Sequence, residues 1–158
     1  LCDTFNIPIV SLIDEPGFLI GPDAEKAGTI LHGTEAVLAT TESKVPWTSI
    51  MIRKSFGVAA AAHYGPDGYV LAWPSAESGP LPLEGGVAVA FKKEIAEANN
   101  PEAKRKELEE KMAKNQNPFP RAEAFSVHEI IDPRETRKYI SLWAERIQSQ
   151  LKANLFKQ

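Results

Sequence analysis

Residues 47–62 read WTSIMIRKSFGVAAAA, an apolar run followed by one glycine, a valine and four alanines. The apolar part, residues 47–53, predicts a buried strand, and the alanines after Gly57 predict a helix. A helix that begins directly after a tight glycine turn leaves two or three backbone N–H groups without an acceptor at its positive end. This turn is a candidate oxyanion hole for acyl or carboxyl transfer. The alternative is that Gly57 only permits close packing.

The composition limits the classes of protein to consider. A chain of 158 residues that is 43% hydrophobic predicts one domain with one core. Its formal net charge of -3 gives no reason to expect nucleic acid or an anionic membrane as a partner. Cys2 is the only cysteine, which excludes a disulfide or a cysteine-based zinc site within the chain. No apolar stretch reaches the roughly 18 residues of a membrane span, so we expect none.

The elements around the glycine turn predict a layered α/β fold. Residues 7–14 form an apolar run that a Pro-Gly turn ends, and they are interpreted as a strand. Residues 23–42 have apolar positions three and four apart, which predicts a helix. A third strand is predicted over residues 69–73. Strands that alternate with helices in this way imply parallel pairing with crossover connections.

Three helices are predicted in the second half of the chain. After an ordered loop over residues 74–86, the first helix covers residues 86–95. The second begins at Pro101, with Asn100 as its N-cap.

The third of these helices begins at Pro133, where Asp132 and Glu135 predict a capping box. Its apolar side chains form one stripe, which is interpreted as core or as a subunit contact and consists of Ile140, Trp143, Ile147 and Leu151.

Side chains with acid, base or nucleophilic chemistry are few and scattered. Histidine titrates near neutrality and can act as a general base. We nevertheless interpret the three histidines, His32, His63 and His128, as structural or surface residues. Glu15 and Glu77 allow an acid/base pair, but capping or salt-bridging roles are favoured. Ser55 has no histidine and aspartate at a defined spacing, which argues against a serine nucleophile.

Five short segments together resemble one family. They are IDEPGF at 13–18, RKSFG at 53–57, AWPSAE at 72–77, EGGV at 84–87 and IIDPRETR at 130–137. In this order they resemble the C-terminal half of the carboxyltransferase (β) subunits of biotin-dependent acyl-CoA carboxylases, such as propionyl-CoA and acetyl-CoA carboxylase. The resemblance implies an α/β, crotonase-like (ClpP/crotonase) superhelix of ββα units. It further implies that residues 1–158 form a C-terminal, biotin-side carboxyltransferase domain, with the N-terminal acyl-CoA half absent from this chain. The chain opens on Leu1 rather than methionine, so we expect it to come from a longer polypeptide.

The activity implied by the resemblance is carboxyl transfer from carboxybiotin, held on a carrier protein, to the α carbon of a short acyl-CoA. Two alternatives remain open, a biotin-dependent acyl-CoA decarboxylase and a non-catalytic assembly module of a carboxylase complex. The partners implied are the N-terminal carboxyltransferase half, the biotin carboxyl carrier and biotin carboxylase. A homo- or hetero-oligomer with a hexameric core is expected, located in the cytoplasm or, in a eukaryote, in the mitochondrial matrix. The stripe on the last helix would then be exposed in a monomer.

The resemblance also assigns the site residues, with no metal among them. The catalytic groups are backbone oxyanion donors to the biotin ureido oxygen, namely those of Gly57, Val58 and Ala59. The substrate-binding residues are Phe56, Ala60, Ala61 and Trp73. Each fixed N–H donor would stabilise the developing charge by about 3–4 kcal/mol.

This sequence departs from the family at the turn itself. Many members carry a second glycine where this chain has Val58, then alanine, then an aromatic or polar residue before an aspartate. Here Ala60 and Ala61 stand in those last two places. Valine keeps its backbone N–H, so the donor is retained.

Overall fold

Five parallel strands form the sheet of this protein. The computed structural model describes residues 1–155, apart from the side chains of Glu84, Asn154 and Leu155; the last three residues of the predicted domain, 156–158, lie outside this part. The strands are β1 (Ile9–Glu15), β2 (Trp47–Phe56), β3 (Tyr69–Ala72), β4 (Glu77–Gly79) and β5 (Glu129–Ile130). Their order is β1-β2-β3-β5, with β4 paired to β2. Every pair is parallel, which confirms the predicted α/β layer.

Strand β2 is the central strand and is longer than predicted. Its first part pairs with β3 from Thr48 to Met51, and its last part, from Lys54 to Phe56, pairs with β4. The prediction that β2 ends at Arg53 is therefore wrong, as is the prediction of a continuous loop over residues 74–86. Because the paired strand continues to Phe56, the chain enters the glycine turn directly from the sheet.

The helices surround this sheet. They are α1 (Cys2–Phe5), α2 (Pro22–Lys26), α3 (Thr29–Thr41), α4 (Gly57–Ala61), α5 (Leu83–Ala90), α6 (Lys92–Ala96), α7 (Pro101–Gln116), α8 (Pro118–Glu123), α9 (Thr136–Arg146) and α10 (Gln148–Leu155).

The helix starts at Gly57 and Pro101 are confirmed, and Asn100 caps α7 by accepting a 3.1 Å hydrogen bond from the N–H of Ala103. Three predicted helices are interrupted. The last of them, which begins near residue 133 and includes Leu151, is divided at Ile147 between α9 and α10. The helix over residues 23–42 is divided by Gly28, whose φ of +72° is left-handed. The helix over residues 86–95 begins earlier, at Leu83, and breaks at Phe91, whose φ of −116° and ψ of 24° are not helical.

The start of α9 also differs from the prediction. Residues Pro133–Glu135 form a 3-10 turn, which is tighter than an α-helix. The Asp132 carboxylate therefore accepts its hydrogen bond from the N–H of Arg134 at 2.9 Å. Glu135 binds Lys138 at 2.8 Å rather than reaching back to Asp132. Asp132 is a cap, but the predicted capping box is wrong.

Two apolar clusters cover the two faces of the sheet, because successive side chains of a strand point to opposite sides. One contains Ile13, Met51, Ala72, Ala76 and Val127, and the other contains Ile50, Leu71 and Ile131.

The predicted apolar stripe runs from α9 into α10. Ile140 packs against the Ile50 cluster, and Trp143 and Ile147 are each only 7% exposed. The prediction that this stripe is exposed in a monomer is wrong for Trp143 and Ile147, which the chain itself buries, whereas Ile140 and Leu151 are half-buried. Among residues 1–155, no helix has the length and apolar character needed to cross a membrane.

Candidate functional site

Gly57 joins the end of β2 to the start of α4. Phe56 has an extended backbone, with φ −123°, and Gly57 then adopts a φ of +64°. Glycine takes this left-handed conformation without the steric cost that other residues meet. A Cβ atom at this position would also lie 3.4 Å from the carbonyl oxygen of Pro80. The abrupt change from strand to helix therefore depends on glycine.

The backbone N–H groups at the start of α4 are the candidate donors. An α-helix has no acceptors of its own for its first N–H groups. The residues that begin α4 are open, since Gly57 is exposed and the Val58 side chain is 64% exposed. Ala59 and Ala60, by contrast, are buried. An approaching oxygen would thus meet backbone and one valine side chain, with no charged group of α4 in the way.

A cleft of about 370 Å³ lies beside this turn. Gly57, Ala60 and Ala61 line one side of it, because positions three and four apart share one face of α4. Tyr64, which follows α4, lines the cleft as well. Glycine has no side chain and alanine only a methyl group, so this side of the cleft is not filled. The space beside the oxyanion candidate therefore exists because residues 60 and 61 are small.

Polar side chains from distant parts of the sequence line the cleft, among them Tyr64, Ser78 and Arg121. The Tyr64 hydroxyl hydrogen-bonds Ser55 Oγ at 2.7 Å. Burial raises the pKa of Tyr64, against the smaller lowering effects of the Ser55 hydrogen bond and the positive charge of Arg121. Ser78 Oγ and Arg121 Nε are both buried and have no hydrogen-bond partner among the described residues. Tyr64 is thus a neutral hydroxyl at pH 7, and two donors beside it are unused.

The structure brings some of the predicted site residues together and places others in the core. Gly57, Ala60 and Ala61 meet at the cleft. The Phe56 ring is 1% exposed and lies near Gly79 of β4. Trp73 packs against the Ile50 cluster, and its Nε1 donates to Thr136 Oγ1 at 2.9 Å.

Sequence reasoning missed Tyr64, Ser78 and Arg121 as members of one site. No motif joins them, because Tyr64 lies in the turn after α4, Ser78 in β4 and Arg121 in α8. Only the pairing of β4 with β2 brings Ser78 next to the turn.

The histidines have structural partners, which agrees with their interpretation. His63 Nδ1 lies 3.2 Å from Ser11 Oγ, and the Val70 N–H donates to His128 Nδ1 at 3.0 Å. His32 is exposed on α3 and pairs with Glu35 at 3.2 Å.

The interpretation of Glu15 as a capping residue is confirmed. Its Oε1 accepts a 2.8 Å hydrogen bond from the N–H of Gly17, which closes the turn after β1. Glu77 is exposed on β4. Within the described residues, no group of three His, Cys, Asp or Glu side chains is placed to hold a metal ion.

The parallel sheet and the strand-turn-helix at Gly57 define an α/β protein, and comparison with known proteins identifies its family. Residues 1–157 match the family described as the carboxyl transferase domain. The chain belongs to the carboxyl transferase domain family.

Three relatives illustrate the similarity. The chain is 37% identical over 157 residues to a propionyl-CoA carboxylase carboxyltransferase subunit of Haloferax mediterranei, covering 96% of this chain and 30% of the relative. It is 38% identical over 144 residues to the methylmalonyl-CoA decarboxylase subunit alpha of Propionigenium modestum, covering 88% of this chain and 28% of that relative. The crystal structure of the transcarboxylase 12S hexamer, with methylmalonyl-CoA and methylmalonic acid bound, superposes on this chain with a TM-score of 0.84 at 38% identity. The match covers 94% of this chain and 29% of the 12S chain.

These comparisons confirm the crotonase-like fold class. The chain spans about 30% of the length of the curated relatives that it matches.

Proposed function

We propose that residues 1–158 are the C-terminal, biotin-side half of an enzyme that transfers a carboxyl group from carboxybiotin to the α carbon of a short acyl-CoA. The observation that carries this proposal is the glycine turn at Gly57, which opens on a cleft within a carboxyl transferase domain. The start of α4 is exposed, and the small side chains of Ala60 and Ala61 leave room beside it. A flat ureido ring can therefore approach the backbone N–H groups.

The contribution of this chain to catalysis is electrostatic. The N–H groups of Gly57, Val58 and Ala59 hold the ureido oxygen while negative charge develops on it. Fixed donors need no reorganisation during the reaction, and each contributes about 3–4 kcal/mol. Biotin, when bound on its carrier, supplies the carboxyl group and then a nitrogen base for the α proton of the substrate. No histidine or carboxylate of this chain is required as a base.

The side chains around the turn shape the binding surface. Ala60 and Ala61 form the wall that faces the ligands, and their small size leaves room in the cleft. Phe56 supports the turn from the core side, and Trp73, directly after β3, is tied to the start of α9 by its bond to Thr136. Phe56 and Trp73 thus take part in substrate binding through packing.

The acyl-CoA would be held by an N-terminal carboxyltransferase half, with biotin carboxylase and the biotin carboxyl carrier as further partners. The relative known as transcarboxylase 12S forms a hexamer assembly. Exposed apolar side chains of this chain support an assembly as well, among them Val10 and Leu12 on β1 at 39% and 56% exposure. We expect a homo- or hetero-oligomer in the cytoplasm or, in a eukaryote, in the mitochondrial matrix.

A decarboxylase is the second candidate function, because one relative at 38% identity is a methylmalonyl-CoA decarboxylase subunit. The assembled protein should be incubated with carboxybiotin carrier and, in turn, acetyl-, propionyl- and methylcrotonyl-CoA. A malonyl-type product from any of them supports carboxyl transfer. Carrier-dependent loss of CO₂ from malonyl-type esters, with no carboxylation, supports the decarboxylase. Absence of both reactions would leave a non-catalytic assembly module.

A further inference from the structure

The proposed oxyanion donors belong to a very short helix. Helix α4 has only five residues, Gly57–Ala61, and a helix of this length is not stable in water by itself. Gly57 also gives the backbone freedom to rotate at the start of α4, because glycine has no Cβ atom to restrict it. The direction of the N–H groups at this end therefore depends on how the rest of the fold holds α4.

The strongest hold on α4 is at the carbonyl oxygen of His63, two residues after the helix ends. Ser49 Oγ donates a hydrogen bond to this oxygen at 2.7 Å, and Trp47 Nε1 donates a second one at 3.0 Å. Ser49 and Trp47 are alternate residues of β2, so their side chains point to one face of the sheet. The N–H of His63 in turn donates to the Ala60 carbonyl oxygen at 3.0 Å. These three bonds connect the last turn of α4 to the central strand.

Hydroxyl groups also hold the residues on either side of His63. Ser55 Oγ, near the end of β2, lies 2.7 Å from the Tyr64 hydroxyl. Thr40 Oγ1 on α3 lies 3.0 Å from the Ala62 carbonyl oxygen, and it shares its single proton with a second carbonyl oxygen within α3. Residues 62, 63 and 64 are therefore each held by a hydroxyl group of another element.

These hydroxyl groups belong to buried residues. Ser49 is fully buried, and Ser55 and Thr40 are only 4% and 7% exposed. Burying a polar group is costly unless it is hydrogen-bonded, and an apolar side chain of similar size would avoid that cost. The three side chains come from two elements and share one target, the residues directly after α4. This shared target indicates that they serve the site as well as the core.

We propose that these contacts form a clamp, which aims the N–H groups of residues 57–59 at the ligand. The clamp consists of Thr40, Trp47, Ser49, Ser55 and Tyr64. Its members are positioning residues for carboxyl transfer, so their role rests on the proposed function. Fixed donors stabilise a developing charge because they do not reorganise, and a misplacement of about 1 Å can lower a rate about 10²-fold. His63 contributes its carbonyl group, so His63→Ala leaves the bonds from Ser49 and Trp47 in place.

A matched pair of β2 variants tests the clamp in the assembled enzyme. Ser49→Ala removes the hydroxyl that donates to His63. Thr48→Val removes an equivalent buried hydroxyl, which donates to the Tyr69 carbonyl oxygen on β3 at 2.8 Å. Each variant loses one bond between a buried hydroxyl and a carbonyl group, so the two should lose similar global stability. Only Ser49→Ala should loosen α4.

Hydrogen exchange measures the hold on α4, and steady-state kinetics measures its consequence. The His63 amide should exchange about fivefold faster in Ser49→Ala than in Thr48→Val, the effect of losing about one hydrogen bond locally. In Ser49→Ala, kcat for carboxyl transfer to propionyl-CoA should fall about 10- to 100-fold, with KM for propionyl-CoA within about twofold of the parent. Thr48→Val should keep kcat within about threefold of the parent.

A double variant provides a second test if Ser49→Ala fails to fold. Ser55→Ala combined with Tyr64→Phe removes both hydroxyl groups of one contact, so neither is left unpaired in the interior. It should accelerate exchange of the His63 amide and lower kcat in the same way. Tyr69→Phe is its control, because it removes a tyrosine hydroxyl that is bonded to Glu129 on the neighbouring strand.

Equal exchange rates in Ser49→Ala and Thr48→Val would overturn the clamp. Faster exchange with an unchanged kcat would overturn the positioning role, as would a loss confined to KM. An assembled enzyme without any carboxyl transfer would refute the proposed function instead, and the exchange rates would then still show whether the clamp holds α4.

Discussion

Replacing Val58 by proline removes one proposed oxyanion donor and little else. Proline has no N–H, and the first turn of a helix accepts it because that N–H has no intrahelical acceptor. The Val58 side chain is 64% exposed, so its loss sacrifices little apolar burial. Losing one fixed donor should lower kcat about 10²- to 10³-fold, equivalent to about 2.7–4 kcal/mol. The assay is carboxyl transfer from carboxybiotin carrier to propionyl-CoA by the assembled enzyme.

Three matched variants isolate the N–H from other effects. Val58→Ala keeps the N–H and should retain kcat within about threefold, because only an exposed side chain is lost. An α-hydroxy acid in place of Val58 replaces the N–H by an ester oxygen without a proline ring, and should reproduce the loss. His63→Ala removes the nearest histidine in the sequence and should leave kcat within about tenfold, because a missing general base would cost about 10²–10⁴-fold. A folded Val58→Pro enzyme with kcat within tenfold of the parent would refute the donor role, as would an equal loss in Val58→Ala.

Further predictions concern stability. Trp143→Ala should lower the free energy of unfolding by about 3–5 kcal/mol, because the indole is only 7% exposed. Leu142→Ala is the control and should cost much less, because Leu142 is 41% exposed. Chemical denaturation measures both, and equal losses would contradict the assignment of the stripe to the core. Asn100→Ala should cost about 1 kcal/mol through the lost cap of α7, and an unchanged unfolding midpoint would show that the cap contributes nothing. Hydrogen bonding to Arg134 lowers the pKa of Asp132 from 3.8 to about 2, so its contribution to stability is present above pH 4 and is lost as the pH falls toward 2. Asp132→Asn should therefore flatten that part of the stability-pH profile, and an unchanged slope would contradict the pairing.

Local signals predicted the site's backbone well. Gly57 follows an apolar run and precedes alanines, and this pattern alone locates the strand-to-helix turn. Asn100 before Pro101 likewise fixes the start of α7, because capping depends on neighbours in sequence. The parallel sheet followed from alternation of strands and helices.

The errors arose where long-range pairing overrides local composition. Residues 74–86 are rich in proline and glycine, yet Glu77–Gly79 forms a strand because β2 extends far enough to pair with it. An amphipathic stripe shows that α9 has an apolar face, but it does not show what covers that face. In the structure, the sheet of the same chain covers Ile140 on α9.

The polar members of the cleft could not be found from sequence for a related reason. Ser78 and Arg121 are separated by 43 positions, and only the folded sheet and α8 direct both into one space. A serine and an arginine without a spacing pattern carry no signal. Their unsatisfied atoms become evident only when burial and hydrogen bonding are known together.

A structure of the assembled enzyme with biotin bound tests the central claim most directly. We predict that the ureido oxygen lies about 2.7–3.1 Å from backbone nitrogens within residues Gly57–Ala59, the range of an effective oxyanion donor. Biotin bound elsewhere on the assembly, with these nitrogens bonded only to solvent or to protein, would contradict the account.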